Sequence, residues 1–147
     1  MSRRGTLQAL GGALVAAALP PARATPDALR ASVAAFTGGA TPRESGLLRL
    51  EVPELVENGN SVPVSVALDV PMTEREHARR IGLFAERNPL PQVAVFRLGP
   101  RSGAARVGTR IRMADSQRIV AVAELADGSF VQRSVDVVVT LAACIEN

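Results

Sequence analysis

The sequence predicts a mostly β domain, an immunoglobulin-like antiparallel β-sandwich with a short N-terminal helix and a C-terminal arm. Three observations predict it. Val62, Val64, Val66 and Leu68 alternate along one stretch, the period-2 pattern that lines one face of a strand with apolar side chains, while Ser61, Ser65 and Asp69 face mostly outward. Runs rich in Val and Ile recur at short spacing between turn residues, and Asp127-Gly128 is a hairpin signal. Beyond the first forty residues no long helical pattern appears.

Residues 1–24 read as a cleaved export signal. Arg3 and Arg4 lead into the apolar stretch from Leu7 to Leu19, which ends at the small-residue site Ala22-Arg23-Ala24. Ser2-Arg3-Arg4 with Leu7 resembles a twin-arginine signal, although Thr6 and Gln8 replace the Phe and Lys common there. The stretch is broken by Gly11-Gly12 and Pro20-Pro21 and is shorter than the ~20 apolar residues a membrane anchor needs. The expected location is the periplasm, with no membrane attachment after cleavage behind Ala24.

The helix is expected over 26–36. Thr25 is placed to cap it, Pro26 fits its first turn, Leu29, Val33 and Phe36 share a face, and Gly38-Gly39 ends it. A polar stretch from Thr41 to Ser45 follows. Strands are expected over 47–52, 61–69, 78–85, 92–98, 105–113, 119–125 and 130–141. Their separators are Glu57-Asn58-Gly59-Asn60, Asn88-Pro89-Leu90-Pro91, Gly99-Pro100, Ala114-Asp115-Ser116 and Ala126-Asp127-Gly128. The domain therefore spans 25–140 and the arm 141–147; the 123 residues from Thr25 suit one core and no second domain.

Composition excludes a nucleic-acid partner. The chain holds seventeen basic residues against fourteen acids, and removing Arg3, Arg4 and Arg23 with the signal makes the two counts equal. The basic residues that remain are scattered arginines, with no Lys, Trp or Tyr to build a stacking platform. One cysteine in an oxidising compartment cannot form an internal disulfide, so its thiol is free, paired with another molecule, or carrying a substrate.

Several ordered motifs resemble the SoxY family of sulfur-oxidation subunits. They are Glu57-Asn58-Gly59 with Val62-Pro63-Val64, and Asn88-Pro89-Leu90-Pro91 before Val93-Ala94-Val95-Phe96. Then come Thr109-Arg110-Ile111-Arg112-Met113-Ala114, Val120-Ala121-Val122-Ala123 and Asp127-Gly128. The resemblance spans nearly all of the chain after the signal. In typical members a Gly-Gly-Cys-Gly-Gly arm carries the sulfur compound covalently on its cysteine, with thiosulfate the usual cargo. This chain ends Ala142-Ala143-Cys144-Ile145-Glu146-Asn147, like a related subgroup with an Ala-Ala-Cys-Ile-Glu arm. The resemblance implies a carrier rather than an enzyme, with Cys144 as the point of covalent attachment. It implies no cofactor, a SoxZ-like subunit as heterodimer partner, and periplasmic redox or hydrolytic enzymes that act on the bound sulfur.

A thiolate is a strong nucleophile and forms sulfur–sulfur bonds that a second thiol can break, which suits a carrier. Cys144 lies within about 10 Å of the terminus if extended, short enough for a tail to enter a narrow channel in a partner. Ala142-Ala143 lacks the conformational freedom of glycine, so the strand is expected to extend through Val137-Val138-Val139 toward the cysteine. A stiffer arm predicts a partner enzyme different from the usual one. Glu146 and the terminal carboxylate disfavour the thiolate, and a cation on a partner protein is the expected answer.

The alternative reading is a non-catalytic assembly subunit whose tail docks a partner without covalent cargo; a disulfide-linked dimer of two copies is a third. A lone cysteine is also met as a small buried hydrophobe, but a position near the terminus works against burial. His77, beside Glu74 and Glu76, reads as a surface loop residue, since a metal site needs several converging donors and a Cys144 and His77 dyad has no spacing to support it. Arg79-Arg80 and Arg110 with Arg112 are candidates for an anion or an acidic partner, or solvated positions. No phosphate cradle or nucleophile elbow is present.

Overall fold

Helix α1 (Pro26–Thr37) forms for the reasons its sequence gives. Thr25 is extended and its Oγ1 accepts from the Ala28 amide at 3.2 Å, Pro26 occupies the first turn, and Gly38 closes the helix at a φ of 65°. The computed structural model describes residues 25–143. The segment 1–24, read above as an export signal, and Cys144 itself therefore lie outside the described residues.

Nine strands follow: β1 (Arg43–Glu44), β2 (Leu48–Glu51), β3 (Leu55–Val56), β4 (Val62–Leu68), β5 (Ala78–Ala85), β6 (Gln92–Arg97), β7 (Ala105–Ile111), β8 (Gln117–Leu125) and β9 (Phe130–Val139). They make two sheets. The larger runs β1-β9-β8-β5-β6, with β3 also pairing with β9, and the smaller runs β2-β4-β7. The immunoglobulin-like sandwich is as expected, and its long pairings are antiparallel. Two pairings depart from an all-antiparallel sheet: β1 and β3 run parallel to β9, at Arg43 opposite Val131 and at Leu55 opposite Val138.

Val62, Val64, Val66 and Leu68 are all buried and face Leu83, Ile119, Val131 and Val137 of the larger sheet. Pro63 is tolerated because β2 pairs with β4 only from Ser65 onward, so its missing N–H breaks no bond to that neighbour. Strands β5 and β8 are buried on both faces, which explains their near-continuous apolar sequences. Their outer face receives α1, where Phe36 meets Phe84 and Phe130 edge-on at 5.6 and 6.2 Å between centroids. Gly82 makes room for this packing, since a Cβ there would stand 2.8 Å from the Phe84 ring and 3.1 Å from Phe36.

Arg80, one of the cations considered for an anion, is instead structural. Its guanidinium lies 4.5 Å from the Phe36 ring centre, donates to the Phe36 carbonyl at 3.2 Å and pairs with Glu124 on β8. It clamps the end of α1 onto the sheet. No described helix is long and apolar enough to cross a membrane.

Candidate functional site

The connections gather at the two ends of the sandwich. One end holds the segments 57–61, 86–91, 112–116 and 140–143; the other holds 70–77, 99–104 and the β8–β9 hairpin. At the first end three backbone segments close on one another. The Gly59 amide donates to the Leu141 carbonyl at 2.8 Å, the Met113 amide donates to the Gly59 carbonyl at 2.8 Å, and the Ala143 amide donates to the Met113 carbonyl at 3.0 Å. Just upstream, Thr140 donates its amide to the Val56 carbonyl at 2.9 Å and its hydroxyl to the Glu57 carbonyl at 3.0 Å.

Gly59 is required by space rather than by backbone conformation. Its φ is not positive, but a Cβ would stand 2.5 Å from the Met113 oxygen, 2.9 Å from the Ala143 nitrogen and 3.2 Å from the Leu141 oxygen. All three are backbone atoms that cannot swing aside. Asn58 shapes the approach, its Oδ1 accepting from the Asn60 amide at 2.9 Å in an Asx turn.

The segment that receives Ala143 is itself held from below. Asn88 Oδ1 accepts from the Ala114 amide at 3.1 Å and its Nδ2 donates to the Arg112 carbonyl at 2.8 Å. Buried Gln117 donates to Asn88 Oδ1 at 3.0 Å and to the Asp115 carbonyl at 3.1 Å, and accepts from the Arg87 amide at 2.8 Å. Ser116 Oγ accepts from the Val139 amide at 2.9 Å. Three motifs singled out in the sequence, around Asn58-Gly59, Asn88-Pro89 and Met113-Ala114, thus converge on one spot: the root of the C-terminal arm.

Ala143 is only 7 % exposed and is the covalent neighbour of Cys144. Residues 141–143, assigned to the arm in the sequence, are seated on the body as far as that bond. Consecutive Cα atoms are 3.8 Å apart, so the Cys144 sulfur stays within about 7 Å of the Ala143 Cα while the root holds. Around the root lie the exposed carboxylates Glu54 and Glu57, the Arg87–Asp115 ion pair at 3.0 Å, and the exposed Arg112.

His77 is at the wrong end. Ala78 pairs opposite Leu125, whereas Gln117 pairs opposite Val137 near the root, and the eight residue-to-residue steps of β8 from Gln117 to Leu125 span about 26 Å. His77 therefore lies far from Ala143, the described residue that precedes Cys144. The imidazole Nδ1 bonds the Thr73 carbonyl at 2.9 Å within its own turn. Among the described residues no three His, Cys, Asp or Glu side chains are placed to hold a metal ion. Arg110 bonds the Ser61 carbonyl and hydroxyl at 3.2 Å on the outer face of the smaller sheet. What the sequence reading missed is the root itself, whose markers, Gly59, Asn88 and Gln117, lie far apart in the chain and carry no pattern that joins them.

The fold and the site define a small immunoglobulin-like sandwich whose last strand delivers a cysteine from a braced root. The family model described as "Sulfur oxidation protein SoxY" matches residues 33–144, and the chain belongs to that family. Among solved structures it resembles the sulfur carrier protein SoxY from Chlorobium limicola f thiosulfatophilum, at 33 % identity and a TM-score of 0.66, covering 80 % of this chain and 100 % of that one. It also resembles a putative superoxide reductase from Thermotoga maritima, at 22 % identity and a TM-score of 0.54 over 63 % of this chain and 84 % of that one. A superoxide reductase (neelaredoxin) from Ignicoccus hospitalis gives 17 % identity and a TM-score of 0.57 over 79 % and 94 %. These last two likenesses show the fold alone. No curated protein matches the chain.

Proposed function

We propose that the protein is a periplasmic sulfur-oxidation carrier: Cys144 holds a sulfur-containing intermediate covalently and presents it to partner enzymes. The observation that carries this reading is the reach of the family match, which runs through residue 144 rather than stopping with the sandwich. The 33 % identical Chlorobium protein, a sulfur carrier protein matched over its full length, supports it. The chain works without a catalytic centre of its own. A SoxZ-like subunit is its partner, and residues 1–24 export it before being removed after Ala24.

Loading by exchange balances without an added oxidant. The Cys144 thiol gives up its proton and the thiolate attacks one sulfur of a sulfur–sulfur bond. The new bond forms as the old one breaks, and the departing sulfur leaves with the electron pair and takes up a proton. The reverse exchange with a second thiol unloads the carrier. A low-pKa environment favours the attacking thiolate, and a cation from the partner offsets the repulsion of Glu146.

Intact mass of the protein isolated from its native periplasm tests the reading. The expected result is added mass on the C-terminal peptide, removed by mild reduction and absent in Cys144→Ser. A permanently unmodified thiol, with sulfur oxidation surviving Cys144→Ser, would replace the carrier by a docking subunit.

A further inference from the structure

Among the asparagines only Asn58 is followed by glycine; Asn60 precedes Ser61, and Asn88 precedes Pro89, which has no N–H. The pair carries a latent reaction, because glycine has no side chain to hinder attack of its own backbone nitrogen on the neighbouring side-chain amide. The Gly59 nitrogen gives up its proton and bonds to the Asn58 Cγ. The bond from Cγ to the side-chain nitrogen breaks, and ammonia leaves with the electron pair and the proton. Water then opens the cyclic imide at either carbonyl, leaving aspartate or isoaspartate at position 58. Nothing is oxidised or reduced, and water is the only co-reactant.

The electrophile is exposed and primed. Asn58 faces solvent, and its Oδ1 accepts from the Asn60 amide and from Asn60 Nδ2, both at 2.9 Å. Two donors on that oxygen draw charge from Cγ and stabilise the oxyanion that attack would form there. The nucleophile, by contrast, is withheld. Gly59 is buried, its N–H is given to the Leu141 carbonyl at 2.8 Å, and its carbonyl accepts from the Met113 amide at 2.8 Å. Ring closure needs the bond to Leu141 broken and the 58–59 peptide turned, while backbone atoms of Met113, Ala143 and Leu141 crowd within 3.2 Å of where a Gly59 Cβ would stand.

We infer that Asn58 is a deamidation site gated by the arm root: seated on Gly59, the 141–143 segment blocks the reaction, and lifting that segment away starts it. The chemistry is slow beside local opening, so its rate tracks the fraction of molecules whose root is open. The product then acts back on the root. Isoaspartate adds one carbon to the backbone, about 1.5 Å of chain, next to a glycine that has no space to move. Gly59 can no longer meet Leu141 and Met113 together, and a root that had opened reversibly stays open. The gate works whatever the cysteine carries.

The test ages full-length wild type, Asn88→Ala, Ser116→Ala and Phe36→Ala in mildly alkaline buffer, with urea-unfolded wild type as the ungated reference. Aspartate and isoaspartate at position 58 are counted by peptide mass spectrometry, and urea unfolding of each variant is recorded alongside. Asn88→Ala and Ser116→Ala loosen the root through Ala114 and Val139, whereas Phe36→Ala weakens the fold at the outer face of the larger sheet. Folded wild type should react at least about tenfold more slowly than the unfolded chain, the two root variants at least about fivefold faster than folded wild type, and Phe36→Ala at the wild-type rate. The isoaspartate fraction, separated by its added negative charge, should lose exchange protection at the Ala143 amide. Equal rates in folded and unfolded wild type would overturn the gate, as would root variants no faster than wild type. Acceleration in Phe36→Ala to match Asn88→Ala would assign the reaction to global unfolding and overturn the gate too; should Asn88→Ala fail to fold, Ser116→Ala carries the comparison. An isoaspartate fraction with Ala143 still protected would overturn the lasting opening.

Discussion

Substituting Gly59 by alanine is the most direct probe of the arm root. The new Cβ would lie 2.5 Å from the Met113 oxygen and 2.9 Å from the Ala143 nitrogen, so Gly59 has to withdraw from both segments. Withdrawal breaks or stretches three hydrogen bonds: Gly59 to Leu141, Met113 to Gly59 and Ala143 to Met113. At roughly 1 kcal/mol net for each, the loss is about 3 kcal/mol. Because Gly59 does not have a positive φ, alanine also restricts the unfolded chain, which returns up to about 1 kcal/mol. The expected net cost is about 2 kcal/mol in urea unfolding. Gly108→Ala on β7, where a Cβ meets nothing within 4 Å, is the control and should change stability little. Amide exchange should separate a local from a global effect: the Ala143 amide should lose protection in Gly59→Ala well before the β8 amides do. A cost below about 0.5 kcal/mol, with Ala143 as protected as before, would refute the claim that the root is braced by close approach at Gly59.

Asn88→Ala should cost about 2 kcal/mol in urea unfolding, through three lost hydrogen bonds beneath Met113, and should speed exchange of the Ala143 amide. Phe36→Ala should cost about 3 kcal/mol by emptying the contact with Phe84 and Phe130, and should free α1 from the sheet in proteolysis while leaving Ala143 protected. The hydroxyl and amide of Ser129 hold the Asp127 carboxyl below the usual carboxylate range. Its contribution is therefore present above the unfolded pKa and is lost as pH falls through the lower, folded value; NMR titration should find Asp127 moved up in Ser129→Ala. The Arg118 hydrogen bond lowers the Asp136 carboxyl likewise, and Arg118→Ala should raise its titration midpoint.

The seven longer strands are legible in the sequence because burial on one or both faces leaves a pattern, alternating in β4 and continuous in β5 and β8. Strands β1 and β3 are not, since two residues carry no period and their pairing with β9 is fixed by the packing of distant segments. The same contrast divides the site. Cys144 stands out as the one cysteine of the chain. The root that aims it is made mostly of backbone hydrogen bonds, to which any residue type contributes alike; only Gly59, Asn88 and Gln117 mark it, and their side chains acquire meaning only once residues 112–115 and 141–143 are brought to them. Arg80 misleads in the sequence for a related reason: beside Arg79 it looks like a charged surface pair, while its partner Phe36 lies in a helix 44 residues earlier.

Strand β9 is the hub on which β1, β3 and β8 all pair, and it follows all of them in the chain. The ribosome therefore delivers the sandwich unfinished until its closing strand emerges, and segments as early as Arg43 wait without a partner. A chain broken off before Phe130 lacks the hub and leaves the valines of β4 without Val131 and Val137 in their opposite wall. One that has secured Ala143 has reached the residue next to the cysteine. Foldedness thus serves as an inspection stamp, since whatever discards unfinished chains also discards those that never acquired the thiol.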